Sequence, residues 1–184
     1  MVEIIPYKPE WVQEFETIAA TLREGLGKLA LRIDHIGSTS VPGLAAKDII
    51  DIQITVAALD EALIQAMQAL GYRLPDGEWR DHRPPGGPED PAEWSKLYFF
   101  APQGQRKTNT HVRVQGRANQ RFALLFRDYL RAHTDTAAAY GELKRRLAAT
   151  LADPEDYPEV KDPAVDLIYF AAEAWAAASS WQPD

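Results

Sequence analysis

The chain predicts an α+β fold: a small mixed sheet with helices packed on it and a helical C-terminal part. Three observations carry this. A run of strict alternation over 49–56, Ile-Ile-Asp-Ile-Gln-Ile-Thr-Val, reads as a half-buried strand. Two further short β-type runs, Lys96–Ala101 and Thr108–Val114, flank a turn rich in Gly and Gln. Apolar residues at helical spacing then dominate everything after Ala118. At 184 residues the chain is read as one domain, 1–184, with ample length for a core.

In chain order, Pro9 to Gly25 is an amphipathic helix with Trp11, Phe15, Ile18 and Leu22 on one side, and Pro9 suits its first turn. Leu31 to Ile36 is a short strand. The turn Gly37 to Lys47 leads into the strand Ile49 to Val56, where Asp51 and Gln53 share one face. Leu59 to Leu70 is helical, with Gly71 as its C-terminal cap. Residues 76–94 hold much of the proline and glycine and read as a long surface loop. The runs 96–101 and 108–114 form a hairpin. Ala118 to His133 and Thr134 to Leu151 are helices, the segment 153–158 breaks the chain, and Pro163 to Trp175 is an alanine-rich last helix. Trp11, Phe15, Phe122 and Phe126 are assigned to the core.

Composition excludes several classes of function. A net charge of -7 gives no basic face for general nucleic-acid binding. The absence of cysteine rules out disulfides, thiolate nucleophiles and thiolate zinc sites. No signal-type or membrane-spanning apolar run is visible, so a cytoplasmic location without membrane association is the default expectation.

The chemistry concentrates in residues 35–54. Gly37, Ser38, Thr39 and Ser40 combine close-approach backbone with three hydroxyls, the material of an anion nest. Lys47 follows in the same turn. Asp51 and Gln53 then project from one strand face, and across from them His111 and Arg113 share a face of the strand 108–114. Imidazole can act as a base or hydrogen-bond phosphate, and guanidinium can grip phosphate bidentately. His35 is read as bracing the turn, Asp48 as solvated, and Asp128 as a solvated or salt-bridged helix position; Arg127 and Arg131 share its helix at i,i+4.

A hydrophobic-Gly-Ser element ahead of Asp-hydrophobic-x-hydrophobic resembles the nucleotidyltransferase superfamily. The longer string His35-Ile-Gly-Ser-Thr-Ser-Val-Pro-Gly-Leu-Ala-Ala-Lys47, with Ile49-Ile-Asp-Ile52, is similar to the GrpB family, also known as UPF0157. So are Ile5-Pro-Tyr-x-Pro-x-Trp11, Phe126-Arg-Asp-Tyr-Leu-Arg131, Tyr140 and the Leu143-Lys144 pair. The resemblance covers most of the chain and implies a nucleotidyltransferase-like fold. It also implies a site in which Asp51, with Gln53, holds Mg²⁺, His111 assists catalysis, and Gly37, Ser38, Thr39, Ser40, Lys47 and Arg113 hold phosphate. Two departures bear on function. Gln53 stands where an active enzyme carries a second carboxylate, and the strand 108–114 offers no third acid. Where such sequences carry proline and a second histidine, this chain has Asp48 and Arg113. A partly degenerate site that binds a nucleotide or other phosphorylated small molecule is therefore expected. The alternatives are an active Mg²⁺-dependent nucleotidyltransferase and an accessory module in coenzyme A metabolism, the latter because some members of the family are fused to dephospho-coenzyme A kinase.

Overall fold

Five strands form one mixed sheet in a computed structural model that describes residues 2–183. They are β1 (Arg32–Ile36), β2 (Ile50–Val56), β3 (Trp79–Arg80), β4 (Ser95–Phe100) and β5 (Thr108–Val114). Their spatial order is β1-β2-β5-β4-β3. Only the central β2–β5 pair is parallel; β1–β2, β4–β5 and β3–β4 are antiparallel.

Period-2 alternation sets the two faces of this sheet. Ile50, Ile52, Ile54 and Val56 point one way with Phe99 and Val112, under α1 (Glu10–Leu26) and α2 (Glu61–Ala69). All of them are almost wholly removed from water. Each such side chain contributes about 2 kcal/mol through burial, so a one-residue slip that sent Asp51 and Gln53 into this layer is strongly disfavoured. Helix α2 opens on an Asp60 cap, whose carboxylate accepts from the Leu63 amide at 3.0 Å. It is followed by Gly71 at φ 83°, the cap the sequence predicts.

The opposite face carries the polar set. Register places Asp51 beside Asn109, Gln53 beside His111, and His111 beside Tyr98. Over it pack α3 (Ala118–Ala132), α4 (Thr134–Thr150) and α5 (Tyr157–Ser179), which share a second apolar core around Leu125, Leu130, Ala137 and Ala172.

Several boundaries and assignments differ from the sequence reading. The last helix begins at Tyr157, not Pro163: Pro158 fits its first turn, and Pro163 lies inside it. Segment 76–94 contains β3 and a 3-10 turn at Pro91–Trp94, and Trp94 is buried with its indole N–H on the Pro88 carbonyl at 2.9 Å. Asp48 is not merely solvated. It accepts from Lys8 at 2.9 Å, from the Trp11 indole at 2.8 Å and from Arg106, and so ties the N-terminal segment to the β4–β5 connection. Burial would raise its pKa, but these three donors hold it at about 2. Asp128 is buried against Arg127 and the Trp181 indole. Phe122 and Phe126 are only half-buried, because they line a cleft.

Candidate functional site

The cleft lies between the polar sheet face and the three C-terminal helices, and the turn after β1 forms part of its wall. Gly37 sits at φ 67°, and a Cβ there would lie 2.3 Å from Asp51 Oδ2. Only glycine lets the turn come this close to the carboxyl group. The next three residues form one 3-10 turn, and their hydroxyls diverge. Ser38 faces the cleft and accepts from Lys144 Nζ at 2.7 Å. Thr39 and Ser40 do not line it. Both are buried, Thr39 paired with His35 Nε2 at 3.0 Å and Ser40 donating to the Gly37 carbonyl at 2.6 Å. His35 stacks on Phe15 and so braces the turn from behind.

Two adjoining compartments share Ser38, Asp51, Tyr140 and Lys161. The first, about 190 Å³, adds Lys47, Lys144, Asn109 and Tyr157, so three lysines line it together with Ser38. Burial and then the charge of Lys161 lower both Lys47 and Lys144, and Lys144 falls to about 7. Lys47 Nζ lies 4.2 Å over the Tyr157 ring and Lys144 Nζ 4.7 Å from that of Tyr140. The second compartment, about 270 Å³, is more apolar, with Phe122, Phe126 and Val165 facing His111, Asn119 and Arg113.

Asp51 accepts from Asn109 Nδ2 at 2.7 Å. Burial raises its pKa, opposed by that hydrogen bond and by Lys161 and Lys144. Gln53 is completely enclosed and both ends of its amide are engaged. Its Nε2 donates to the Gln120 carbonyl at 3.2 Å, and its Oε1 accepts from Arg113 at 2.7 Å. Arg113 in turn makes a two-point contact with Asp81, at 2.8 Å from both Nε and Nη2. Asp81 also accepts from Lys96 at 2.6 Å and Asn119 at 3.0 Å. Burial works against its charge, but Arg113 and then Lys96 hold it well below the usual carboxylate range. His111 is pushed well below its ordinary value by burial, then by Arg113 and Lys96, so its imidazole is neutral at pH 7. Its Nδ1 is shielded and has no partner among the described residues.

The structure thus brings Gly37, Ser38, Lys47, Asp51, His111 and Arg113 to one cleft, and leaves Thr39, Ser40 and Gln53 out of its lining. Sequence reasoning missed three contributors. Lys144 lies in a pair that resembles the family, yet nothing local marks it as facing Ser38. Lys161 and Asp81 come from segments read as a chain break's sequel and a loop.

The donor set does not fit the magnesium site of a nucleotidyltransferase. Asp51 is the one carboxylate on the strand, the Gln53 oxygen is taken by Arg113, and Asp81 is taken by three donors. Among the described residues no three His, Asp or Glu side chains converge to hold a metal ion.

Strand order, helical layers and the Gly-Ser turn against Asp51 define the class: an α+β protein of nucleotidyltransferase-like fold. The fold is similar to that of Cid1 bound to its short product ApU, with a TM-score of 0.53 over 78% of this chain and 43% of that one, at 13% identity. The profile described as "GrpB protein" matches residues 1–170, so the chain belongs to the GrpB family. The crystal structure of GrpB from Enterococcus faecalis superposes with a TM-score of 0.74, at 30% identity over 94% of this chain and 99% of that one. A UPF0157 protein of Pseudomonas aeruginosa is 36% identical over 91% of this chain and 66% of its own length. A protein of Mycolicibacterium paratuberculosis named "Dephospho-CoA kinase" is 40% identical over 99% of this chain but only 48% of its own length. The chain spans about half the length of such relatives. No helix among the described residues is long and apolar enough to cross a membrane.

Proposed function

We propose that the cleft binds a nucleotide or other phosphorylated small molecule, and that it does so without a metal-dependent transfer step. One observation carries the reading: Lys47, Lys144 and Lys161 line one compartment with Ser38, which Lys144 contacts, in a chain of net charge -7. Lys47, Lys161 and the partly protonated Lys144 beside one carboxyl group make a local positive field, which an incoming phosphate group strengthens by favouring the charged form of Lys144. The body of the ligand would lie in the second compartment against Phe122 and Phe126, opposite His111. Gln53 and Arg113 serve as the wall behind it: their mutual hydrogen bond and the Asp81 ion pair occupy the groups that would otherwise hold metal or phosphate.

Calorimetry tests this with ATP, GTP, CTP, dephospho-coenzyme A and inorganic pyrophosphate, first in EDTA and then with Mg²⁺. The reading expects at least one of them to bind in EDTA and to weaken about tenfold or more in Lys144→Met. No binding of any of them in either condition would sink it. The alternative of an active Mg²⁺-dependent transferase requires binding that appears only with Mg²⁺, and transfer activity that Gln53→Glu raises. Dephospho-coenzyme A belongs in the panel because of the relatives that carry that kinase's name; selective binding of it would favour an accessory role in coenzyme A metabolism.

A further inference from the structure

Lys144 is the most deeply buried of the three lysines in the cleft, at 3% exposed. A lysine is almost never buried so fully without an opposite charge beside it. Lys144 forms no ion pair among the described residues. Its Nζ instead meets the Ser38 hydroxyl at 2.7 Å and lies 4.7 Å from the centre of the Tyr140 ring. The groups around it are Asp51 from β2, Lys47 from the turn, Tyr157 and Lys161 from α5, and Tyr140 and Arg145 from its own helix.

Burial and then Lys161 disfavour the ammonium form; Asp51 favours it, and Arg145 opposes it again more weakly. The balance falls at about 7, so roughly half of the amine is uncharged at pH 7. Holding phosphate does not call for this. Lys47 and Lys161 line the same compartment, and an ammonium group grips phosphate best when fully charged. A desolvated amine beside a second cation is instead how a protein makes lysine attack a carbonyl carbon. Ser38 and Asp51 supply the proton-carrying groups that such an attack needs, one in contact with Nζ and the other in the same compartment.

We propose that Lys144 is a carbonyl-capturing nucleophile, and that the ligand of the cleft is a phosphorylated aldehyde or ketone that forms a Schiff base with its Nζ. The inference rests on the phosphate reading above and names the ligand class: phosphate on Lys47 and Lys161, carbonyl carbon at Lys144. The uncharged Nζ adds to that carbon. A C–N bond forms, the C=O π pair moves to oxygen, and a proton passes from nitrogen to oxygen through the Ser38 hydroxyl, giving a carbinolamine. Asp51, whose acid form burial favours, then protonates the hydroxyl. The C–O bond breaks, water leaves, and the nitrogen lone pair closes the C=N bond of an iminium ion. One water is lost, one proton is taken up, and nothing is oxidised or reduced. The iminium charge lies beside the Asp51 carboxylate and the ligand's phosphate, which both stabilise it.

Borohydride trapping on the whole wild-type chain tests this, with glyceraldehyde 3-phosphate in one arm, dihydroxyacetone phosphate in a second and phosphate-free glyceraldehyde in a third. Reduction fixes any imine as a stable amine, and peptide mass mapping locates it. A predominant, saturable adduct at Lys144 is expected from the aldehyde phosphate, the ketone phosphate or both. The phosphate-free aldehyde should label Lys144 about tenfold less at equal concentration, and inorganic phosphate should compete. The initial rate at Lys144 should rise with pH and level off above about 7, whereas an ordinary exposed lysine keeps gaining reactivity up to about 10. Calorimetry of the same phosphates without borohydride separates the two claims. Binding without a reducible adduct at Lys144 overturns the Schiff base and leaves the phosphate reading standing; neither binding nor adduct defeats both. Labelling spread evenly over surface lysines, or indifferent to the phosphate group, also overturns the inference.

Discussion

Gly37 and Lys144 are the residues on which the site depends most sharply. Gly37→Ala places a methyl group 2.3 Å from Asp51 Oδ2 at a positive φ, so the turn must move away from the carboxyl group. The change should lower stability by about 1–3 kcal/mol, seen as a reduced melting temperature, and weaken ligand binding further. Lys144 works in the opposite direction. Its amine falls from 10.5 to about 7 on burial, so between those values the unfolded chain binds more protons than the folded one. Its contribution therefore makes stability rise with pH from about 7 towards 10.5. Denaturant melts across that range should show the rise, and Lys144→Met should flatten it without lowering the melting temperature at pH 7. A lysine that costs stability where it lies and still points at Ser38 is what an anion site requires. Nothing in the sequence around Leu143-Lys144 marks this residue, because its role comes from a contact spanning 38 to 144.

Elements differ in how much of themselves the sequence reveals. Strand β2 and the turn before it were legible: alternation assigns their faces, and the Gly-Ser turn and Asp51 lie close together along the chain. The β4–β5 hairpin was legible for the same local reason. Segment 76–94 was not, since its proline and glycine content describes a loop and says nothing of where Asp81 lands. That residue closes the back of the cleft by pairing with Arg113, whose side chain is 6% exposed, and with Lys96. Asp81→Ala leaves a buried guanidinium unpaired and should cost about 3–5 kcal/mol in chemical denaturation. The sign for pH follows from its depressed pKa: the stabilisation is complete above the ordinary carboxylate value of 3.8 and is lost as pH falls through the lower folded value. Acid unfolding of the wild type should therefore carry a step, below pH 3.8, that Asp81→Ala lacks. A proline inside a helix is indistinguishable by composition from one at its start, so the sequence begins the last helix at Pro163 and the structure begins it at Tyr157. Its added first turns bring Lys161 and Asp162 to the cleft.

At the scale of the molecule, one sheet face is apolar and structural, and the other is polar and roofed by three helices that create the cleft. The apolar face follows directly from the pattern of β2. The roof does not, because helix packing is set by tertiary contacts such as the Leu125, Leu130 and Ala172 core. Phe122 and Phe126 show the consequence: their helical spacing assigns them to a core, and packing leaves them lining the cleft instead. Local lysine density in a chain of net charge -7 also sets the salt response: binding in the cleft should weaken as ionic strength rises, while the affinity of an uncharged analogue stays constant. The central claim is that phosphate is held by lysines and not through a metal on Asp51. Asp51→Asn tests it most directly, with the affinity for the tightest-binding phosphorylated ligand measured calorimetrically in EDTA and in Mg²⁺. Affinity that is unchanged or higher in Asp51→Asn, with or without Mg²⁺, is the predicted result. Binding that requires Mg²⁺ and disappears in Asp51→Asn would contradict it.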